Sequence, residues 1–141
     1  MLKAILWDND GVLVDTEGLY FQASREALER LGVRLSEARF IECFLKASEG
    51  LRAIAAEHGI DEQTLEPVRN WRNARYIELL RAGVPVIDST HEVLRQLHGT
   101  VRMGIVTGSR REHFEIIHSA TGLLDFIDDR FHFGAHRIPR F

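Results

Sequence analysis

Short apolar runs alternate along this chain with long stretches of helical periodicity. Ala4, Ile5, Leu6 and Trp7 form a continuous apolar run that stops at Asp8-Asn9-Asp10-Gly11. A run of that length closed by turn residues predicts a buried strand ending in a polar turn. From Glu17 to Leu31 the residues Leu19, Ala23, Ala27, Leu28 and Leu31 recur at helical spacing, and Gly32 supplies a stop. Ser36 predicts a cap for a helix through Arg39, Phe40, Cys43 and Phe44. Ser48 predicts the start of another, carrying Leu51, Ile54 and Ala55 and ended by Gly59. Asp61 to Ala82 is again helical, with Pro67 expected to split it or to sit in a first turn. Gly83-Val84-Pro85 ends that region.

Strands return after residue 85. Ser89-Thr90-His91-Glu92 and Ser109-Arg110-Arg111-Glu112 both fit a capping box. The first opens a helix with Val93, Leu94 and Leu97, closed by Gly99; the second opens one with Phe114, Ile117 and Ala120, closed by Gly122. Between them Val101 to Val106 predicts a second strand, and Arg130 to Phe133 a third. Strands separated by helices imply an α/β protein with a parallel sheet. The helix-only stretch from 17 to 84 is too long for one crossover and predicts an inserted α-helical cap. The expected organisation is therefore a core of residues 1–16 and 85–141 with a cap of residues 17–84.

At 141 residues the chain can bury one core and a small insert. A net charge of -3, spread along the chain, argues against nucleic acid or an anionic membrane as partner. Cys43 is the single cysteine, so no internal disulfide can form and a reducing compartment fits. The opening apolar run is too short for a signal peptide, and no stretch approaches membrane-spanning length. These features lead to the expectation of a soluble cytoplasmic protein.

Asp8 and Asp10 place two carboxylates at the C-terminal end of the first strand, where open α/β sheets bind ligands. Unpaired carboxylates are costly to bury, and a divalent cation is the simplest partner. Gly11 lets the backbone turn sharply. Two other readings are a plain acidic turn and a calcium loop. With Gly11 at the sixth loop position, Asp8, Asp10 and Glu17 fall on the third, fifth and twelfth, but the first is Leu6 and a strand precedes. Thr107-Gly108-Ser109, between the second strand and a helix, fits either simple capping or a phosphate site of helix N-terminal amides and a hydroxyl.

The segment Asp8-Asn9-Asp10-Gly11-Val12-Leu13-Val14-Asp15-Thr16-Glu17, following an apolar strand, resembles the first motif of the haloacid dehalogenase (HAD) superfamily. The likeness is to the phosphoglucomutase and phosphoglycolate phosphatase branch, which carries a helical cap directly after that motif. The resemblance implies a Rossmann-like core, with Asp8 as a nucleophile that becomes an aspartyl phosphate and Asp10 as general acid and base. It implies Mg²⁺ held by the Asp8 carboxylate and the Asp10 backbone carbonyl, offsetting repulsion between carboxylate and phosphate. Dehalogenases of the superfamily lack the second acid, so Asp10 points to phosphate chemistry. Asp15 and Thr16 would lie at the hinge into the cap, or act as helix caps. Thr107 matches the hydroxyl of the second motif, with amides near Gly108 as further donors and Ser109 as the helix cap. Arg110 would reach the substrate phosphate or lie in solvent. Ser48, with Arg52 nearby, falls where related proteins carry a substrate-facing cap loop, and a helix cap is its other reading.

Of the seven histidines, His132 and His136 are four apart and His113 and His118 five apart. No cysteine or acidic pattern completes a zinc site, so they are read as structural or solvated. Trp71 and Tyr76 are expected to pack within the cap.

The implied activity is a Mg²⁺-dependent phosphatase or phosphomutase acting on a small phosphorylated metabolite, such as a sugar phosphate or phosphoglycolate. The alternative is a non-catalytic remnant that binds phosphate or a protein. The resemblance runs from residue 1 to 128. The family's third motif is a lysine, yet the last lysine is Lys46; Arg137 before Ile138-Pro139 is a poor imitation, because a planar fork does not replace a point charge. No acid follows Asp129, and the tail is basic and aromatic. The expectation is a truncated or frame-shifted chain with impaired activity and an incomplete core. Its apolar edge at Ala4–Trp7 would then be open to self-association.

Overall fold

The structure, a computed structural model, describes residues 2–132, with side chains through residue 128. In chain order the elements are β1 (Ala4–Asp8), α1 (Glu17–Glu29), α2 (Glu37–Phe40), a π-helical turn (Ile41–Lys46), α3 (Leu51–Glu57) and α4 (Glu62–Ala82). There follow α5 (Thr90–Leu97), β2 (Arg102–Thr107), α6 (Arg111–His118), a 3₁₀ turn (Leu123–Phe126) and β3 (Asp129–His132). They form two compact units, Met1–Glu17 with Leu80–Phe141, and Gly18–Leu79.

The first unit is a parallel three-stranded sheet in the order β1-β2-β3. Register runs from Ala4 opposite Arg102 to Asp8 opposite Val106, and from Gly104 opposite Asp129 to Thr107 opposite His132. The α/β class and the parallel sheet are those the alternation of runs predicts. The burial of the first strand is not. Among the described residues β1 pairs only with β2, and Leu6 is 63% exposed. A continuous apolar run specifies a strand but not its neighbours, and here β2 takes the central place. Met103, Gly104 and Ile105 are buried there, with Leu13, Val14, Leu94, Phe114, Ile117 and Leu123 completing the core. The chain leaving β1 runs beside the chain entering α5. Val14 bridges Val86, the Asp15 amide donates to the Pro85 carbonyl at 2.8 Å, and the Ile87 amide donates to the Leu13 carbonyl at 3.1 Å.

Neither capping box forms. Ser89 has φ +66° and Arg110 holds the N-cap position of α6, and neither makes a side-chain capping bond. Ser109 spends its hydroxyl elsewhere, on a carboxylate that only tertiary folding brings near.

The second unit is helical. Its core gathers Leu28, Val33, Leu35, Phe40, Cys43, Leu51, Ile54, Ala55 and Leu65. Tyr20 meets Tyr76 edge-on at 5.1 Å between ring centroids, and Phe40 stacks on Phe44 at 4.8 Å, favourable aromatic arrangements. Tyr76 is buried, as expected, while Trp71 is half-buried beneath the Arg30 guanidinium at 4.7 Å. Burial pushes the Cys43 thiol pKa up. Ser36 caps α2 by accepting the Arg39 amide at 3.2 Å. Ser48 does not cap α3: it is exposed, at φ +57°, and the helix begins after Gly50. The Cys43 carbonyl accepts both the Glu49 and Gly50 amides at 3.0 Å, so backbone closes that turn without a side chain. Pro67 lies inside α4 without splitting it. It removes one helical donor, and the helix starts five residues earlier, where Asp61 accepts the Thr64 amide at 2.7 Å.

Candidate active site

Parallel register brings β1 and β2 to an end at the same level, so the turns that follow them meet. After Asp8 the chain folds back tightly. The Asn9 carbonyl accepts the amides of Val12, Leu13 and Val14 at 3.3, 2.9 and 3.2 Å. Gly11 sits at φ +77°, and a Cβ there would come within 3.1 Å of Glu17 Oε1. The positive φ is what favours glycine here, since the Glu17 side chain has room to move aside.

Asp8 is exposed at the strand end, and its Oδ1 accepts the Asn9 amide at 2.7 Å. Asp10 is half-buried and enclosed by donors. Thr16 Oγ1 donates to its Oδ1 at 2.7 Å. Its Oδ2 accepts from Ser109 Oγ at 2.6 Å, Thr107 Oγ1 at 3.3 Å and Asn9 Nδ2 at 3.4 Å. Thr107 is buried, and its hydroxyl oxygen also accepts the Ser109 amide at 3.0 Å. The Thr16 and Ser109 bonds have the short lengths of charge-assisted hydrogen bonds, and the Thr107 and Asn9 contacts are longer. Those from Ser109 and Thr107 tie the first turn to the second across almost a hundred residues of sequence.

The structure thus joins Asp10 directly to Thr107 and places Asp8 one residue before Asn9 in the same turn. Gly108 and Arg110 are exposed beside them. Thr16, expected at a hinge, turns its hydroxyl into the site, while Asp15 is exposed and bonds Pro85 through its amide. Ser48 lies in the other unit. Sequence reasoning missed Ser109, because a capping box accounted for it. It also passed over Asn9 and His118. Both are buried, with His118 Nε2 2.7 Å from Asn9 Oδ1 and Nδ1 2.8 Å from Thr121 Oγ1.

Among the described residues no group of three or more His, Cys, Asp and Glu side chains is arranged to hold a metal. The donors at the end of β1 are all hard oxygens. Mg²⁺ usually takes only one or two carboxylates and fills its shell with water and substrate phosphate. The Asp8 carboxylate and Asp10 carbonyl fit such a partial shell. His136 and Arg137 lie outside the described residues. No helix among the described residues is long and apolar enough to cross a membrane.

The fold is thus a parallel α/β sheet with paired acids after one strand and a threonine turn after the next. The chain belongs to the haloacid dehalogenase-like hydrolases, whose match covers residues 2–137. That match passes residue 128, so most of the tail that composition set apart from the family lies within it. An uncharacterised protein from the fgs 3′ region of Lacticaseibacillus casei is 26% identical over 133 residues, 91% of this chain and 60% of that protein. Solved structures that share the fold include the following two. A predicted phosphoglycolate phosphatase of Haemophilus somnus 129PT has a TM-score of 0.80 at 16% identity, covering 99% of this chain and 65% of its own. A β-phosphoglucomutase candidate of Thermotoga maritima has a TM-score of 0.69 at 21% identity, covering 93% and 61%. The chain therefore spans 60–65% of the length of these relatives.

Proposed function

We propose that this chain carries the phosphoryl-accepting half of a phosphatase or phosphomutase for a small phosphorylated metabolite, a sugar phosphate or phosphoglycolate. An Asp8 carboxylate oxygen attacks phosphorus, and the bond from phosphorus to the leaving oxygen breaks. Asp10 gives that oxygen its proton. It then takes a proton from the water or sugar hydroxyl that attacks the aspartyl phosphate, and the Asp8–phosphorus bond breaks in turn. Thr107, the amides near Gly108 and Arg110 are the groups assigned to the phosphate oxygens. The Asp8 carboxylate and the Asp10 carbonyl would hold Mg²⁺, which would supply positive charge to offset the repulsion between carboxylate and phosphate. The Gly18–Leu79 unit, with Ser48 and Arg52, is assigned substrate choice, and Asp15 and Thr16 its hinge.

The observation that carries this reading is the convergence of Thr107 and Ser109 on Asp10, at 3.3 and 2.6 Å. It brings the turn that carries Asp8 and Asp10 together with the Thr107 turn, and this supports the roles assigned to them. The test is hydrolysis of para-nitrophenyl phosphate with and without Mg²⁺. Turnover by the full chain should require the metal and vanish in Asp8→Asn. Retained turnover in that variant refutes Asp8 as nucleophile.

A further inference from the structure

Asn9 stands between the two acids and is 0% exposed, and the hydrogen bonds of both its backbone and its amide serve the turn. Its amide N–H holds the Asp8 carboxylate at 2.7 Å, and its carbonyl gathers the three amides that shape the turn. Its side-chain Nδ2 faces Asp10 Oδ2 at 3.4 Å. Its Oδ1 meets His118 Nε2 at 2.7 Å, at the last residue of α6.

The two ends of a carboxamide are not equivalent, so whatever occupies Oδ1 decides where the NH₂ points. A ring N–H at Oδ1 directs the NH₂ toward Asp10. The flipped amide would set two donors against each other at His118 and turn an oxygen toward a carboxylate. Thr121 completes the arrangement. Its hydroxyl is 2.8 Å from His118 Nδ1 and accepts the Leu123 amide at 3.4 Å. With the Leu123 amide on one of its lone pairs, the Thr121 hydroxyl can still donate to Nδ1, and that direction goes with a ring proton on Nε2. The Phe114 ring, 4.6 Å from the imidazole centroid, holds the ring from the side.

We infer that His118 is a positioning residue. Through the buried Asn9 amide it fixes the turn that aims Asp8 and Asp10. This rests on the phosphoryl-transfer reading above. His118 acts through Asn9, which contacts both acids. Outer contacts of this kind commonly alter metal affinity or rate by about 10- to 100-fold.

The test compares parent, His118→Leu and His118→Gln in the full chain, since glutamine can return a donor near the Nε2 position. The Leu variant should lose about tenfold or more in kcat on para-nitrophenyl phosphate and in affinity for beryllium fluoride with Mg²⁺. KM should stay within about twofold, and Gln should restore most of the loss. In the parent, ¹⁵N NMR should find the ring proton on Nε2. A Leu variant with parental kcat and beryllofluoride affinity overturns the inference. So does a ring whose Nε2 carries no proton, a result that needs no folded variant. If Leu fails to fold, a Gln variant as inactive as Asp8→Asn also counts against it. A parent that neither turns over the ester nor binds beryllofluoride sinks the phosphoryl-transfer reading itself. Loss confined to the variants cannot be mistaken for that.

Discussion

Replacing Thr16 by valine isolates one of the bonds that hold Asp10. Thr16 is 3% exposed and its hydroxyl lies 2.7 Å from Asp10 Oδ1. A hydrogen bond to a charged group contributes about 1.5–3 kcal/mol, and the half-buried Asp10 allows water to recover part of it, which favours the low end. The methyl gained in valine returns at most about 0.8 kcal/mol. Thr16→Val should therefore destabilise the first unit by about 1 kcal/mol. In an Asp10→Ala background the same change should reverse sign. The Thr16 hydroxyl would then be buried without its acceptor, a state that costs about 1–3 kcal/mol, and valine removes that cost. The coupling between the two sites should approach about 2 kcal/mol, as expected for residues in contact. Trp7 lies in the first unit and Trp71 in the second, so urea unfolding followed by tryptophan fluorescence in a Trp71→Phe background reports on the right unit. A change of 1 kcal/mol should move the midpoint by roughly 0.3–1 M urea. Equal effects of Thr16→Val in both backgrounds would refute the bond to Asp10.

Two further outcomes are expected. Leu6 on β1 and Leu2 just before it are 63% and 66% exposed, and the outer edge of β1 has no partner strand among the described residues. The chain should associate as concentration rises and Leu6→Lys should suppress this in sedimentation velocity; a parent monodisperse as monomer at high concentration would contradict it. In the helical unit Arg75 grips Glu26 through Nε at 2.7 Å and Nη2 at 3.4 Å, and with Gln22 holds its carboxyl below the usual carboxylate range. A lowered folded-state pKa adds stability that is complete above the unfolded value, about 4.3, and is lost as pH falls through the folded one. The stability deficit of Glu26→Gln at pH 7 should therefore shrink in acid, and a deficit independent of pH would exclude the pair as its cause.

Some elements were legible from local pattern because their causes are local. Ser36 capped α2 because its acceptor oxygen and the Arg39 amide are three residues apart. Gly11 was legible because a sharp turn after a strand needs positive φ. The capping boxes failed for the opposite reason. Ser109 finds a carboxylate ninety-nine residues away in sequence, a stronger acceptor than a helix amide is a donor. Ser48 was misplaced because backbone bonds to Cys43 closed the turn first.

Periodicity, turn residues and the Asp8-Asn9-Asp10-Gly11 segment were enough to establish an α/β protein with a helical insert and two acids at a strand end. These are short-range properties, set by steric limits on the backbone and by the spacing of apolar side chains. Folding in three dimensions decided that Thr16 and Ser109 would close around Asp10, and that His118 would reach Asn9. Each depends on which surfaces meet, and a polar atom chooses its partner only among the groups that packing brings within reach.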